Sequence, residues 1–372
     1  MASAVLREVE GLIGLWESLR EDLKELSLGR HARFCTSATL SVALATVVAL
    51  AMHVDSAWWA GISAFMSSQA SRPASFTKGA LRVIGTLAGA AIGLALASWL
   101  VYDHVACCLF LFLVTTAGML GYQLSSHGYA WLLGAITFNI VILMSLTSPD
   151  QAYDIAFYRS LEVVIGVAAA GLMALLLAPQ DGGPPQAPAP GWFGLFDAQW
   201  PAVLHAIRSG ITVMLVPPVW FWFELPSLSQ MAITIAAVMA VPAPSETAPN
   251  QDRLLVTRAI HRLAGCFLGG LIALACLTIP LTEFLPWLFI LCAGVWAGCH
   301  IQSSQRGIGY VGTQATVVFI MTLVQGFGPP ESIWPGLDRL SGIMFGLLLL
   351  LVVSLLLSAL ELSPSEATSR RS

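Results

Sequence analysis

The feature that most constrains this chain is a series of apolar runs, each close to the length of a membrane-crossing helix. They fall near residues 35–53, 57–71, 80–101, 105–122, 129–147 and 158–178. After a break they resume near 204–222, 228–243, 259–280, 284–300, 309–326 and 339–360. About 20 apolar residues span the ~30 Å hydrocarbon core as a helix. Lipid satisfies no backbone polar group, so a single apolar segment crosses only as a helix. Charged residues make up 10% of the chain, against about 25% in soluble domains. The expected fold is therefore all-α: a polytopic membrane protein of about twelve transmembrane helices.

Basic residues orient these spans. With the N-terminus in the cytoplasm, 15 of the 17 Lys and Arg fall on one side, among them Arg33, Lys78, Arg208, Arg258 and Arg306. The opposite loops carry acids such as Asp103, Asp150, Glu224 and Glu283. This is the segregation of the positive-inside rule, with a multi-pass chain and both termini cytoplasmic. Residues 1–30 place Val5, Val9, Leu12, Trp16, Leu19 and Leu23 at helical spacing between charges. That pattern makes an amphipathic cytoplasmic helix, lying on the bilayer surface or against a partner helix. A first six-helix half is expected over 31–178, a Pro/Gly-rich cytoplasmic linker over 179–203, a second half over 204–360 and a short tail over 361–372.

The halves resemble one another. Arg82 and Arg262 are 180 residues apart, as are Gly85 and Gly265, and Gly89 and Gly269. Arg159 and Arg339, the two basic residues on the acidic side, are also 180 apart. An even number of spans per half makes the two six-helix repeats parallel, related by an axis along the membrane normal.

Each repeated feature has a structural and a functional reading. Gly85, Gly89, Gly93, Gly265 and Gly269 are spaced to let helix backbones touch, so they mark helix packing. Arg82 and Arg262 read either as anchors snorkelling to the interface or as anion contacts. Arg159 reads as a local pair with Glu162 or, together with Arg339, as an anion contact at the far rim. The second span of each half is short and polar or proline-interrupted, which points to a site where freed backbone groups meet a cavity. Gln69 at the end of one such span, with Asn139 and Gln314 inside the fifth spans, completes the candidate substrate-binding set. Glu162 is the carboxylate placed for proton coupling, and its pairing with Arg159 weighs against that role.

Other chemistries lack their residues. The seven cysteines include no CxxC pair and the histidines no metal-ligand spacing, so no metal or cofactor is expected. No GxSxG or paired intramembrane carboxylates suggest an enzyme, and no Walker A sequence suggests ATP hydrolysis. Nothing basic and aromatic-interleaved suggests nucleic acid.

The stretch Trp58 to Gly93, "WWAGISAFMSSQASRPASFTKGALRVIGTLAGAAIG", resembles the signature region of the fusaric acid resistance (FUSC) family. Gln69, Arg82, Gly85, Thr86 and Gly89 match that pattern. The second half keeps Arg262, Gly265 and Gly269 and carries Cys266 in place of the threonine. The resemblance implies export of small aromatic or other organic carboxylates across the bacterial inner membrane, in some members with a periplasmic adaptor protein. A more distant similarity connects the family to plant aluminium-activated malate channels. Many members carry a cytoplasmic domain between the halves, whereas here a 25-residue linker stands there.

The expectation is thus an organic-anion transporter embedded in the bilayer, with a pore formed by one chain or a homodimer. The alternatives are a non-transporting membrane scaffold and a channel-like organic-anion pore. Trp58, Trp59 and Trp131 read as stacking groups for an aromatic substrate or as interfacial belt residues.

Overall fold

A computed structural model describes residues 14, 17–18, 20–21, 32–54, 56–180, 191–192, 199–225, 227–241, 251–279, 283–304, 306–326 and 334–362. Among them the chain is helical throughout, with no β-strand. The helices are α1 (Ala32–Ala51), α2 (Ala57–Ser67), α3 (Arg72–Leu100), α4 (His104–Leu124), α5 (Gly128–Thr147) and α6 (Ala152–Leu177). Then come α7 (Trp200–Met214), α8 (Val216–Phe223), α9 (Leu228–Met239), α10 (Gln251–Leu277), α11 (Phe284–Gln302), α12 (Gly309–Leu323) and α13 (Trp334–Leu362). The expected N-terminal helix, linker and tail lie largely outside the described residues. Of the first, Glu21 is described, its Oε2 3.5 Å from Arg306 Nε.

Helices occupy all twelve expected stretches. Among the described residues, nine helical segments are long and apolar enough to cross a membrane. The other three, α2, α9 and α12, have 11, 12 and 15 residues. At 1.5 Å per residue these reach about 16 to 22 Å, short of the hydrocarbon core. The expected seventh span is broken at Leu215 into α7 and α8. Pro217 and Pro218 explain the break, because they lack N–H donors and suit the first turn of a new helix. Conversely, α3 and α10 begin about two turns earlier than hydropathy suggests. Polar residues such as Arg72, Thr77, Lys78 and Arg258 continue a helix even though they do not extend an apolar run.

The chain divides into two compact units. The first comprises residues 1–80, 161–185 and 260–336, the second 81–160, 186–259 and 337–372. In the first unit α1 packs on α2 and α11, and α12 packs on α2 and α11. In the second, α7 packs on α9 and α4, and α5 packs on α9 and α4. Each unit therefore takes its first two helices from one side of the linker and its fourth- and fifth-span helices from the other. The compact units are a different division from the halves the linker separates. The long helices α3, α6, α10 and α13 carry the chain from one unit to the other.

Packing inside each unit follows residue size and polarity. Phe138, Leu111, Met231, Ile235 and Met239 build the core of the second unit. Trp287 is fully buried in the first unit, and its indole donates to the Leu323 carbonyl at 2.9 Å. Asp103 caps α4, its carboxylate accepting from the amides of Val105 and Ala106 at 3.1 and 2.9 Å. Such a cap is worth ~1 kcal/mol. Apolar side chains such as Ile84, Ile92, Leu176, Leu348 and Leu355 are exposed along the long helices. In water that surface would be unstable, and in a bilayer it is the lipid-facing side.

Candidate functional site

The glycine seams position the arginines. On a helix, residues three apart share a face, so Arg82 projects from the face that bears Gly85 and, four residues further, Gly89. That face is pressed against α5. A Cβ on Gly85 would overlap the Ala130 carbonyl oxygen, and one on Gly89 the Gly134 carbonyl oxygen. Farther along, Gly93 meets Val141 and Phe138. Backbone contact this close leaves a side chain one turn earlier in the helix crossing.

Arg82 is accordingly 4% exposed. Its Nη1 donates to the Tyr129 hydroxyl at 2.7 Å. Its Nε is buried and has no hydrogen-bond partner among the described residues. The anchor reading, in which the guanidinium snorkels to the surface, does not describe this side chain. Its hydroxyl partner is neutral, so among the described residues no ion pair cancels the positive charge. A desolvated charge of that kind is costly unless an anion or further donors and acceptors complete it.

The first unit holds the counterpart. A Cβ on Gly265 would meet the Val311 carbonyl and Gln314, and one on Gly269 the Ala315 carbonyl. Arg262, 5% exposed, donates from Nη1 to Gln314 Oε1 at 2.6 Å. Two candidate residues, Arg262 and Gln314, are thus brought into direct contact. The partner differs between the crossings: a phenol for Arg82 and an amide oxygen for Arg262.

The remaining candidates are dispersed. Asn139 on α5 donates to Thr115 Oγ1 on α4 at 2.9 Å, and its Oδ1 is buried without a partner among the described residues. Gln69 follows the end of α2, where its backbone amide donates to Ser75 Oγ at 2.9 Å. Near it, Arg72 donates from Nε to the Ala178 carbonyl at 2.9 Å, tying the start of α3 to the end of α6. Arg159 and Glu162 are both buried on α6, and Arg339 is half-buried on α13. Arg82, Asn139, Arg159 and Arg339 belong to the second unit, Gln69, Arg262 and Gln314 to the first.

The short second-span helices are gripped alike in both units. Gly166 on α6 lies where a Cβ would meet the Ala60 carbonyl and Ser63 of α2. Gly346 on α13 lies where a Cβ would meet Met231 and Thr234 of α9. Two side chains that the sequence did not single out also matter. Tyr129, at the start of α5, is the partner of Arg82. His205 on α7, buried with Nε2 2.7 Å from the Met239 carbonyl, was one scattered histidine among seven. Each partner is tens of residues away in sequence, so no local pattern announces the contact.

Apolar helices of spanning length, a lipid-compatible exterior and cations buried at glycine-seamed crossings define a polytopic helical membrane protein. Residues 31–188 match the model of the fusaric acid resistance protein family, so the resemblance carried by Gln69, Arg82, Gly85, Thr86 and Gly89 is established over that part of the chain. A stretch of 154 residues is 28% identical to the uncharacterized transporter YdhK of Escherichia coli K12. The YdhK proteins of Escherichia coli O157:H7 and Salmonella typhimurium match at 28% and 26%. These matches cover 39% of this chain and 22% of the relatives, so the chain spans about a fifth of their length. No solved structure matches this chain.

Proposed function

We propose that this chain transports small organic carboxylates, with aromatic acids as the preferred class, outward across the bacterial inner membrane. The observation that carries the reading is Arg82: a buried guanidinium whose partner is neutral and whose Nε has no partner among the described residues. A carboxylate is the ligand that a planar, permanently charged fork binds best, because two parallel hydrogen bonds match its geometry. The family match and the relatives named as transporters support the class of activity. A transporter rather than an enzyme is the corresponding reading of the chemistry.

The two halves are read as a parallel internal repeat. In support, the contacts of Gly85 and Gly89 with the fifth span recur at Gly265 and Gly269, and those of Gly166 with the second span recur at Gly346. Both termini lie in the cytoplasm in this reading, by the distribution of basic residues. Outward movement of an anion is helped by the inside-negative potential, ~2.3 kcal/mol per charge per 100 mV, so flux needs no ATP. A periplasmic adaptor and a second copy of the chain are the protein partners that belong to this proposal.

The test is efflux of radiolabelled benzoate, and of a panel of aromatic carboxylates, from proteoliposomes. Wild-type protein carries the acid and not its neutral amide, and the double variant Arg82→Ala, Arg262→Ala loses roughly tenfold or more of the rate. Full flux in the double variant removes the guanidiniums from the mechanism. No flux for any carboxylate leaves a membrane scaffold as the better description.

A further inference from the structure

An apolar groove runs between α1 and α6 in the first unit. Leu40, Ala43 and Val47 of α1 form one wall, Met173 and Leu177 of α6 the other. Its volume is about 480 Å³, within the range of ligand-binding clefts. Among the described residues every lining side chain is apolar, so ordered water has nothing to bond there. Leu40 and Leu176 are exposed along it, and the groove opens outward to the lipid-facing side.

One end of this groove is cationic. A Cβ on Gly61 of α2 would come within 3.1 Å of Thr46 and 3.6 Å of Val42 on α1. The two helices therefore form an antiparallel hairpin, and the chain leaving α2 returns to the level at which α1 began. There Arg72 donates from Nε to the Ala178 carbonyl at 2.9 Å and from its amide to the Pro179 carbonyl at 3.0 Å. Ala178 directly follows Leu177 of the groove wall. The contact uses Nε, and among the described residues the Nη groups of Arg72 have no hydrogen-bond partner. Arg33 is the second residue of α1 and exposed. Residues three, four and seven apart share a helix face, so Arg33 continues the stripe of Leu40, Ala43 and Val47. Helical side chains lean toward the N-terminus, which carries its guanidinium to the end where Arg72 stands. No carboxylate lies on α1 or α3, and those of α6, Asp154 and Glu162, precede Leu177 by 15 residues or more.

We propose that this groove binds one anionic phospholipid, with an acyl chain between α1 and α6 and the headgroup phosphate against Arg33 and Arg72. The apolar part of the contact does not discriminate, because lipid tails are as apolar as leucine. Selection comes from the arginines. A guanidinium fork matches the oxygens of a phosphate, and basic pockets at a membrane rim favour anionic headgroups. A zwitterionic lipid offers the same chain and phosphate but brings a cation of its own to that rim. A second copy meeting this face about an axis along the membrane normal sets the arginines of both rims against one another, which disfavours it. The bound lipid joins the start of α1 to the end of α6, so it stabilises the folded chain by mass action. The site is independent of the transport reading.

The experiment is native mass spectrometry of the full chain released from detergent micelles that contain phosphatidylglycerol or phosphatidylcholine. Wild type retains one phosphatidylglycerol, preferred roughly tenfold or more over phosphatidylcholine. Phosphatidylglycerol also raises the unfolding midpoint in detergent, and inorganic phosphate alone does not. Arg33→Gln weakens retention about fivefold, Arg33→Glu weakens it further, and Arg33→Lys largely preserves it. Ala43→Trp fills the groove, leaves both arginines in place and abolishes retention. Should that variant fail to fold, the exposed Arg33 series still decides the matter. Equal retention of the two lipids, or full retention in Arg33→Glu, overturns the cationic rim, and full retention in a folded Ala43→Trp overturns the groove. A midpoint shift from inorganic phosphate as large as that from lipid overturns the proposal in favour of a free-anion site. A lipid-free dimer gives the groove to a second copy, and a lipid-free monomer to another part of this chain; either result sinks the lipid site.

Discussion

Arg82 and Tyr129, 47 residues apart in sequence, meet at 2.7 Å where α3 crosses α5. The phenol is neutral, so it orients the guanidinium without neutralising it. Replacing Tyr129 by Phe keeps the charge and removes the orienting hydroxyl. The expected result is a rise in the half-saturating carboxylate concentration of roughly threefold to tenfold, in line with one hydrogen bond of ~1 kcal/mol. Arg82→Ala costs more, roughly tenfold to a hundredfold, and Arg82→Lys falls between, because a lysine offers charge without the planar fork. Concentration-dependent efflux from vesicles checks the order of the three.

The glycine seam is asymmetric, and the asymmetry is testable. A Cβ on Gly89 would overlap the Gly134 carbonyl oxygen, whereas a Cβ on Gly134 comes only to 3.4 Å of the Gly85 oxygen. Gly89→Ala forces the helices apart and is expected to cost ~1–3 kcal/mol. Gly134→Ala makes an ordinary contact and gains up to ~1 kcal/mol of helix propensity. Thermal unfolding midpoints in detergent should fall for the first and stay level or rise for the second.

Gly166 and Gly346 provide a test of equivalence between the halves. Each lies against the backbone of a short second-span helix, Gly166 at Ala60 and Gly346 at Met231. Alanine at either position is expected to destabilise by ~1–3 kcal/mol. Comparable losses in the two single variants fit a parallel repeat. A loss at one position with none at the other argues against the equivalence.

Trp287 closes the end of α12 by donating to the Leu323 carbonyl at 2.9 Å. Trp287→Phe retains most of the buried apolar surface and leaves that carbonyl unpaired. A loss of ~1–3 kcal/mol is expected, read as a lower unfolding midpoint. Efflux rates per folded molecule should change little, since Leu323 lies nine residues along α12 from Gln314, the partner of Arg262.

The class of fold was legible because lipid imposes it locally. A run such as residues 339–360 or 158–178 must be helical wherever it packs, and the observed α13 and α6 follow. The R-x-x-G-T pattern of Arg82 to Thr86 also announced a crossing, since helical spacing alone puts Arg82 and Gly85 on one face. The short helices were half legible: Pro242 and the hydroxyl-rich end of α2 signalled an interruption, but hydropathy carried the spans to 71 and 243. The ends at Ser67 and Met239 depend on which donors reach their carbonyls. The break at Leu215 was written in Pro217 and Pro218, yet apolar residues on both sides concealed it.

By itself the sequence determined the all-helical membrane architecture, the positions of its spans and the face on which each buried arginine lies. These follow from the absence of hydrogen-bonding solvent and the 3.6-residue period of the helix. Only the tertiary structure decided that Arg82 meets Tyr129 while Arg262 meets Gln314, that His205 holds the end of α9, and that each compact unit mixes helices from both sides of the linker. Those pairings are set by packing between segments far apart in the chain, and local periodicity carries no record of which helix will be the neighbour.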